Sequence, residues 1–286
     1  MSQQVKIDRT ESLEKICASI SNIKVLPQVV YQIMESTEAA GSSAIDLENK
    51  IKVDPGFTAL LLSQANSSYY ALPKRVSSIR EAVMLLGFKE IRTVAMKASV
   101  FEFFVGKSDK ESVRRRNWWK LSVDTAEICN LIGQNVKGVN PNEAYTAGLL
   151  HYLGKTFIDQ HDPTAFDKVM YVVERGAPER LAERILFAVD HVDVAQEMAR
   201  RWSFSEEMVG ALNYDDEPSS EAPATKIRAM VGLSHQLALY ANQPWNEVQE
   251  KFFKYEWAIK EIGLSMDSCP DLLNAAAKRL DERRAA

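Results

Sequence analysis

Cysteine is scarce in this chain and poorly placed for cross-links. Cys17, Cys129 and Cys269 are the three among 286 residues. Odd in number and far apart, they exclude a disulfide framework or a zinc ribbon. Reduced thiols in a cytoplasm are the expectation. No apolar run approaches the ~20 residues needed to cross a bilayer, so no membrane partner is expected. The first residues, Met-Ser-Gln-Gln-Val-Lys-Ile-Asp, lack the apolar core of a signal peptide. Charge of one sign is not in excess either. A net charge of −4 gives no global attraction to nucleic acid or anionic membranes. An alternating strand pattern of useful length is missing, as is a glycine-rich phosphate loop after a strand.

What the chain does carry is apolar residues at helical spacing. They make up 46% of the chain, enough at this length to bury about 75% of the unfolded surface. One large domain or two subdomains would serve. Leu26, Val29, Val30, Ile33 and Met34 follow one helical face, with Pro27 suited to a first turn. Ser42 or Ser43 can cap a helix marked by Leu47 and Ile51. Asp54-Pro55 starts another, striped by Phe57, Leu60, Leu61 and Ala65. Ser78 and Glu81 form a capping box before Ala82, Val83, Leu85 and Leu86, and Gly87 ends that helix. Ile91, Val94, Ala95 and Ala98 carry a further helix to about Gly106. The class is all-α.

The basic segment Lys107–Lys120 is the candidate boundary, dividing the chain into 1–106 and 107–286. New periodicity begins near Asn117 and runs through Leu121, Ala126 and Ile128 to Gly133. A helix over 141–154 follows. Ala144, Ala147, Leu150 and His151 share one face, Gly154 supplies a C-terminal break, and Lys155 sits near the negative end of the dipole. Helices are expected at Leu181–Val189, Val192–Trp202 and Ala224–Ala241. The acidic stretch Tyr214–Glu221 reads as a loop. The charged end, Lys278–Arg284, reads as a frayed helix terminus.

Several motifs occur in an order that resembles the HDOD family, a degenerate branch of the HD-type metal-dependent phosphohydrolases found in bacterial signalling. They are Leu26-Pro27-Gln-Val-Val, then Asp54-Pro55-Gly-Phe-Thr-Ala-Leu-Leu-Leu-Ser-Gln-Ala-Asn66-Ser-Ser-Tyr-Tyr70, then Ile79-Arg-Glu-Ala82-Val-Met-Leu-Leu86-Gly87. Ala147-Gly-Leu-Leu-His151 and Asp190-His191-Val-Asp-Val-Ala, with Trp202, complete the series. The resemblance covers about residues 15–240. It implies an N-terminal helical subdomain and a second built on an HD-like helical core.

The resemblance also implies where metal ligands would stand. An HD-type site needs a first His, a His-Asp pair and a later Asp, because a bound cation requires convergent ligands. Here those positions read Leu121, His151-Tyr152 and His235. A second ligand set, His191 with a His pair, reads His191 with Asp215-Asp216. A phenol with a pKa of about 10 is a poor substitute for a carboxylate on a hard cation. An altered site from His151, His191, His235, Asp215 and Asp216 is conceivable on donor type. The expectation is instead a packed, metal-free remnant with no catalytic residue and no cofactor. His191 shares a face with Ala195, Met198 and Trp202 and reads as a structural histidine. His235 reads as a core or pocket group among Leu233, Leu237 and Leu239. His161-Asp162 is a literal His-Asp dipeptide, but Pro163 follows and a loop is expected.

Arg114, Arg115, Arg116, Trp118 and Lys120, with Lys155, form the candidate surface for a partner or a small anion. Basic groups beside tryptophans also suit nucleic acid, and helix–Gly87–helix superficially resembles a helix-turn-helix. The interval Ala82–Gly87 is one residue too long for that motif, and few basic groups follow, so nucleic acid is not the expected partner. The expected function is a non-catalytic, cytoplasmic signal-transduction module acting through signalling proteins, with a small anionic ligand as an added candidate. The chain shows no receiver, cyclase or phosphodiesterase domain, so input and output are expected from other molecules. The rival is a divergent phosphohydrolase acting on nucleotides or cyclic dinucleotides.

Overall fold

A computed structural model of the chain describes residues 8–21, 32–33, 35–37, 42–51, 61, 64–65, 67–70, 78–103, 108–201, 206–220 and 225–285. The helices expected from Leu26 and from Asp54-Pro55 lie largely outside these residues, as do Lys107 and Trp202. No strand occurs among the described residues, and the fold is all-α. None of their helices is long and apolar enough to cross a membrane.

The chain divides into two compact units. One comprises Met1–Ile23 with Phe103–Arg283, the other Lys24–Glu102 with Arg284–Ala286. Helix α1 (Arg9–Ser21) belongs to the first and larger unit.

In the smaller unit, α2 (Ala44–Ile51) opens on Ser43, whose hydroxyl accepts from the Asp46 amide at 3.2 Å and donates to its carboxylate at 2.7 Å. Leu47 and Ile51 face a core shared with Ile33, Leu61, Ala82, Val83, Ile91 and Val94. Helix α3 (Ile79–Phe103) begins at Ser78, which accepts from the Glu81 amide at 3.1 Å. Gly87, at φ 71°, breaks it into two helical pieces, as a residue without Cβ can.

The larger unit starts its main run with α4 (Asp109–Gly133). The expected start near Asn117 is a full two turns late. Ser108 caps α4 by accepting from the Glu111 amide at 3.3 Å and donating to its carboxylate at 2.9 Å, a side-chain cap within the basic segment. Helices α5 (Pro141–Leu150), α6 (Leu153–His161), α7 (Pro163–Val173), α8 (Glu179–Phe187), α9 (His191–Arg201) and α10 (Glu206–Ala211) follow. Then come α11 (Lys226–Tyr240), α12 (Trp245–Val248), α13 (Glu256–Glu261) and α14 (Cys269–Ala285). Helix α4 packs on α5 and α11, α6 on α9, and α1 on α6 and α9. The C-terminal helix is no frayed end. Leu273, Ala276 and Leu280 are buried, and Arg279 and Arg283 reach Glu127 and Asp124 of α4.

Two local expectations are corrected around the central stretch. The break falls at His151-Tyr152, between α5 and α6, not at Gly154. Gly154 lies in the first turn of α6, so Lys155 stands near the positive end of that helix. The glycine serves a close crossing: a Cβ there would stand 1.8 Å from the His191 carbonyl oxygen of α9. Likewise His161 closes α6, and Asp162 caps α7 by accepting from the Ala165 amide at 2.9 Å, a helix joint where a loop was expected. Gly154→Ala should therefore force α6 and α9 apart, costing at least the upper end of the about 1–3 kcal/mol typical of overpacking. Urea or thermal unfolding reads this directly. Wild-type stability would show that the crossing relaxes freely.

Candidate functional site

The break between α5 and α6 projects His151 and Tyr152 toward α11, which carries His235. His151 is fully buried. Its Nδ1 lies 2.6 Å from the Gly148 carbonyl, which can only accept, so Nδ1 bears the proton. Burial, against the pull of that bond, pushes the ring's pKa down to about 3. The neutral ring then has its lone pair on Nε2, which accepts from His235 Nδ1 at 3.1 Å. His235 is in turn held well below the ordinary histidine value by burial and by His151. A directed chain results, from His235 through His151 to a backbone oxygen.

Aromatic rings enclose this chain. Tyr152 lies 4.3 Å from the His151 ring centroid and 5.3 Å from that of His235. Tyr214 closes the other side, 4.9 and 5.1 Å from the same two rings. Burial raises the pKa of both phenols, keeping them neutral. The Lys155 ammonium lies 4.0 Å from the Tyr152 ring centroid and 2.7 Å from Glu179 of α8. Burial opposes its charge, but Glu179 and Tyr152 hold it above the ordinary lysine value. Burial would raise Glu179, yet Lys155 and His191 keep it below the usual carboxylate range.

The remaining candidate ligands are also engaged. His191, the first residue of α9, directs Nδ1 and its backbone amide to one Glu183 oxygen, at 2.7 and 3.0 Å. Asp215 accepts from the Tyr255 hydroxyl and pairs with Lys254 at 2.9 Å; against burial, these contacts hold it below the usual aspartate value. Asp216 pairs with Arg180 at 2.5 Å. Leu121 lies half-buried on α4. These donors do not fit a divalent cation. The first-His position is apolar, the paired acid is a neutral phenol, and both nitrogens of His151 are taken. Among the described residues, no three His, Cys, Asp or Glu side chains gather where they could hold a metal ion.

The basic residues separate into two groups. Arg114 and Arg115 both bind Asp159 of α6, which is fully buried. Arg114 also reaches Asp167 at 2.7 Å, and Arg115 reaches Glu111 at 3.2 Å. Burial pushes the Asp159 carboxyl up while the two guanidiniums pull it down. Trp118 is buried, edge-on to Phe166 at 5.4 Å. Lys155 belongs to the interior cluster. Arg116 and Lys120 are exposed on α4. Replacing all three consecutive arginines with Glu would therefore place carboxylates against Asp159 and damage the fold.

Sequence reasoning missed Tyr214, Glu179, Glu183 and Asp159. Helix α8 turns charge inward: Glu183 is fully buried while Leu181 and Ile185 are 54% and 71% exposed. The spacing Glu179, Ala182, Glu183, Phe187 marks that inner face, but ordinary amphipathic reading assigns it to solvent.

A model of the HDOD domain matches residues 23–218 of this architecture. The chain belongs to the HDOD domain family. An HDOD domain protein of unknown function from Geobacter sulfurreducens superposes with a TM-score of 0.63 at 23% identity, covering 95% of this chain and 99% of that one. A Shewanella amazonensis SB2B protein, provisionally named a phosphohydrolase, gives 0.70 at 22% identity, covering 94% and 97%. A Marinobacter aquaeolei VT8 protein, provisionally named for signal transduction, gives 0.71 at 20%, covering 99% and 66%. At these identities the likeness is one of fold. An uncharacterized protein of Treponema pallidum (strain Nichols) is 22% identical over 213 residues, 74% of this HDOD chain and 41% of the relative. The chain thus spans about two fifths of that relative's length.

The paired histidines give the HDOD core a pH signature. Their folded pKa values are depressed, so below about pH 6.5 the unfolded chain takes up protons that the fold refuses. Stability is then full above pH 6.5 and falls as pH drops toward about 3, the His151 value. From pH 7.5 to 5.0 the loss should be about 2 kcal/mol for His151, with His235 adding to it in the same direction. Thermal melts across this range should show it, and level melting would place charged rings in the folded protein.

Proposed function

We propose that this chain is a non-catalytic signal-transduction module of the HDOD type, working through contacts with other proteins. The observation that carries the reading is the His151 ring. Its two nitrogens bond Gly148 and His235, so the histidine of the His-Asp position has no lone pair to offer a metal. The packed phenols at 152 and 214 support the same view. The signalling name of one structural neighbour agrees with it. Of the candidate surface residues, Arg116 and Lys120 are the exposed cations left for a small anionic ligand.

The rival reading, a divergent phosphohydrolase, draws on another neighbour's provisional name. It also draws on His235, whose Nε2 lone pair is unused by the chain described above. One neutral nitrogen does not bind a hard cation without converging oxygen ligands. The test is hydrolysis of nucleotides and cyclic dinucleotides by the purified chain with Mn²⁺, Mg²⁺ or Fe²⁺. No turnover is expected. Turnover that disappears in His151→Ala would overturn the non-catalytic reading.

A further inference from the structure

A groove of about 630 Å³ runs between the N-terminal half of α4 and α7, away from the histidine cluster. Val113, Asn117 and Trp118 form one wall, and Met170, Tyr171 and Glu174 the other. Each wall is a helical face at i, i+3 or i+4 spacing, so two ridges leave a valley of the kind that receives a third helix. The valley is open at its apolar points: Val113 is 50% and Tyr171 58% exposed. Its charged floor is already neutralised, with Asp167 joined to both Lys110 and Arg114.

The rim is not neutral. Arg116 and Lys120 are exposed on the α4 side, one helical turn from Val113 and Asn117 respectively. Neither pairs with a carboxylate among the described residues. On the α7 side, the Arg175 guanidinium lies 3.5 Å from the Tyr171 ring centroid. Of the acids that line the groove, Asp167 is paired and Glu174 is the one left to face these three cations. A chain with a net charge of −4 therefore presents an apolar valley with a locally positive border.

We infer that this groove docks an amphipathic helix of a partner protein, with apolar residues at i, i+3, i+4 and i+7 and acidic residues flanking them. The inference rests on the protein-contact reading above and assigns its surface. The paired floor favours an apolar ridge over a bare anion, which would have to displace Asp167. The cationic rim selects the flanks and speeds encounter.

The test uses the full chain and a labelled peptide of about 18 residues, with leucines at those four spacings and glutamates beside them. Fluorescence anisotropy should show one-to-one binding at least tenfold tighter than for the same peptide with lysines replacing the glutamates. Val113→Asp and Tyr171→Asp, both at exposed positions, should each weaken it at least tenfold. Arg116→Glu combined with Lys120→Glu should weaken it similarly and flatten its salt dependence. Indifference to these variants, or preference for the lysine peptide, would overturn the inference. So would capture of a DNA duplex or anionic vesicles through Arg116 and Lys120 without peptide binding. Loss of peptide binding without hydrolysis would remove this surface but leave the non-catalytic reading. Hydrolysis with intact peptide binding would do the reverse.

Discussion

Tyr152→Ala should destabilise the fold by about 3–5 kcal/mol, the range for truncating a large buried aromatic. The ring directly follows His151, at the position where the family resemblance would place a carboxylate. It is 6% exposed and packs on the rings of His151 and His235 under the Lys155 ammonium. Its removal leaves a cavity lined by two imidazoles with depressed pKa values, which water would then reach. Tyr152→Asp should be at least as damaging, since it loses the same packing and adds a buried carboxylate. Lys155 cannot fully compensate, being bound to Glu179. Nor should the aspartate restore metal affinity, because Leu121 supplies no ligand and His151 remains bonded to His235. Thermal melts of both variants, with and without Mn²⁺, check this. Near-wild-type melting of Tyr152→Ala would mean that the ring borders an open cleft. A Mn²⁺-dependent rise in Tyr152→Asp would mean that ligands converge after all.

Asp159→Ala should cost a similar about 3–5 kcal/mol, the usual penalty for removing one partner of a buried ion pair. Asp159 is the carboxylate on which Arg114 and Arg115 meet, and it ties α6 to the first turns of α4. Without it, two largely buried guanidiniums lose the acceptor they share, while Arg114 keeps Asp167 and Arg115 keeps Glu111. The pairing predicts non-additivity. Arg115→Met added to Asp159→Ala should cost less than the sum of the single variants, because one of the two charges that lost its buried acceptor goes with it. Additive losses would show that each residue acts through separate packing.

These two sites show what the sequence discloses and what it hides. Helices α2 and α3 of the smaller unit were legible because their signals are local: Ser43 and Ser78 lie three residues before the groups they cap, and Gly87 breaks the run at its own position. Leu121 and Tyr152 are visible in the sequence as residue types, whereas the bonding of His151 to Gly148 and His235 is not. Gly154 was misread because a glycine closing an apolar stripe looks like a helix end. Its cause is the His191 carbonyl, brought up by a helix distant in sequence. The arginine run likewise looks like a solvated boundary until Asp159, buried on α6, is placed beneath it. Inward-facing charge on α8 escaped for the same reason. Burial of Glu183 depends on His191, and no periodicity within α8 announces that partner.

The proposal turns on whether the His151 ring is bonded inward or open to a metal, and nuclear magnetic resonance of its ring nitrogens reads this directly. Inward bonding requires a neutral ring with the proton on Nδ1, unchanged from pH 7.5 to 5.0 and unaffected by added Mn²⁺. Titration near pH 6.5, or selective paramagnetic broadening of His151 and His235 by Mn²⁺, would contradict it.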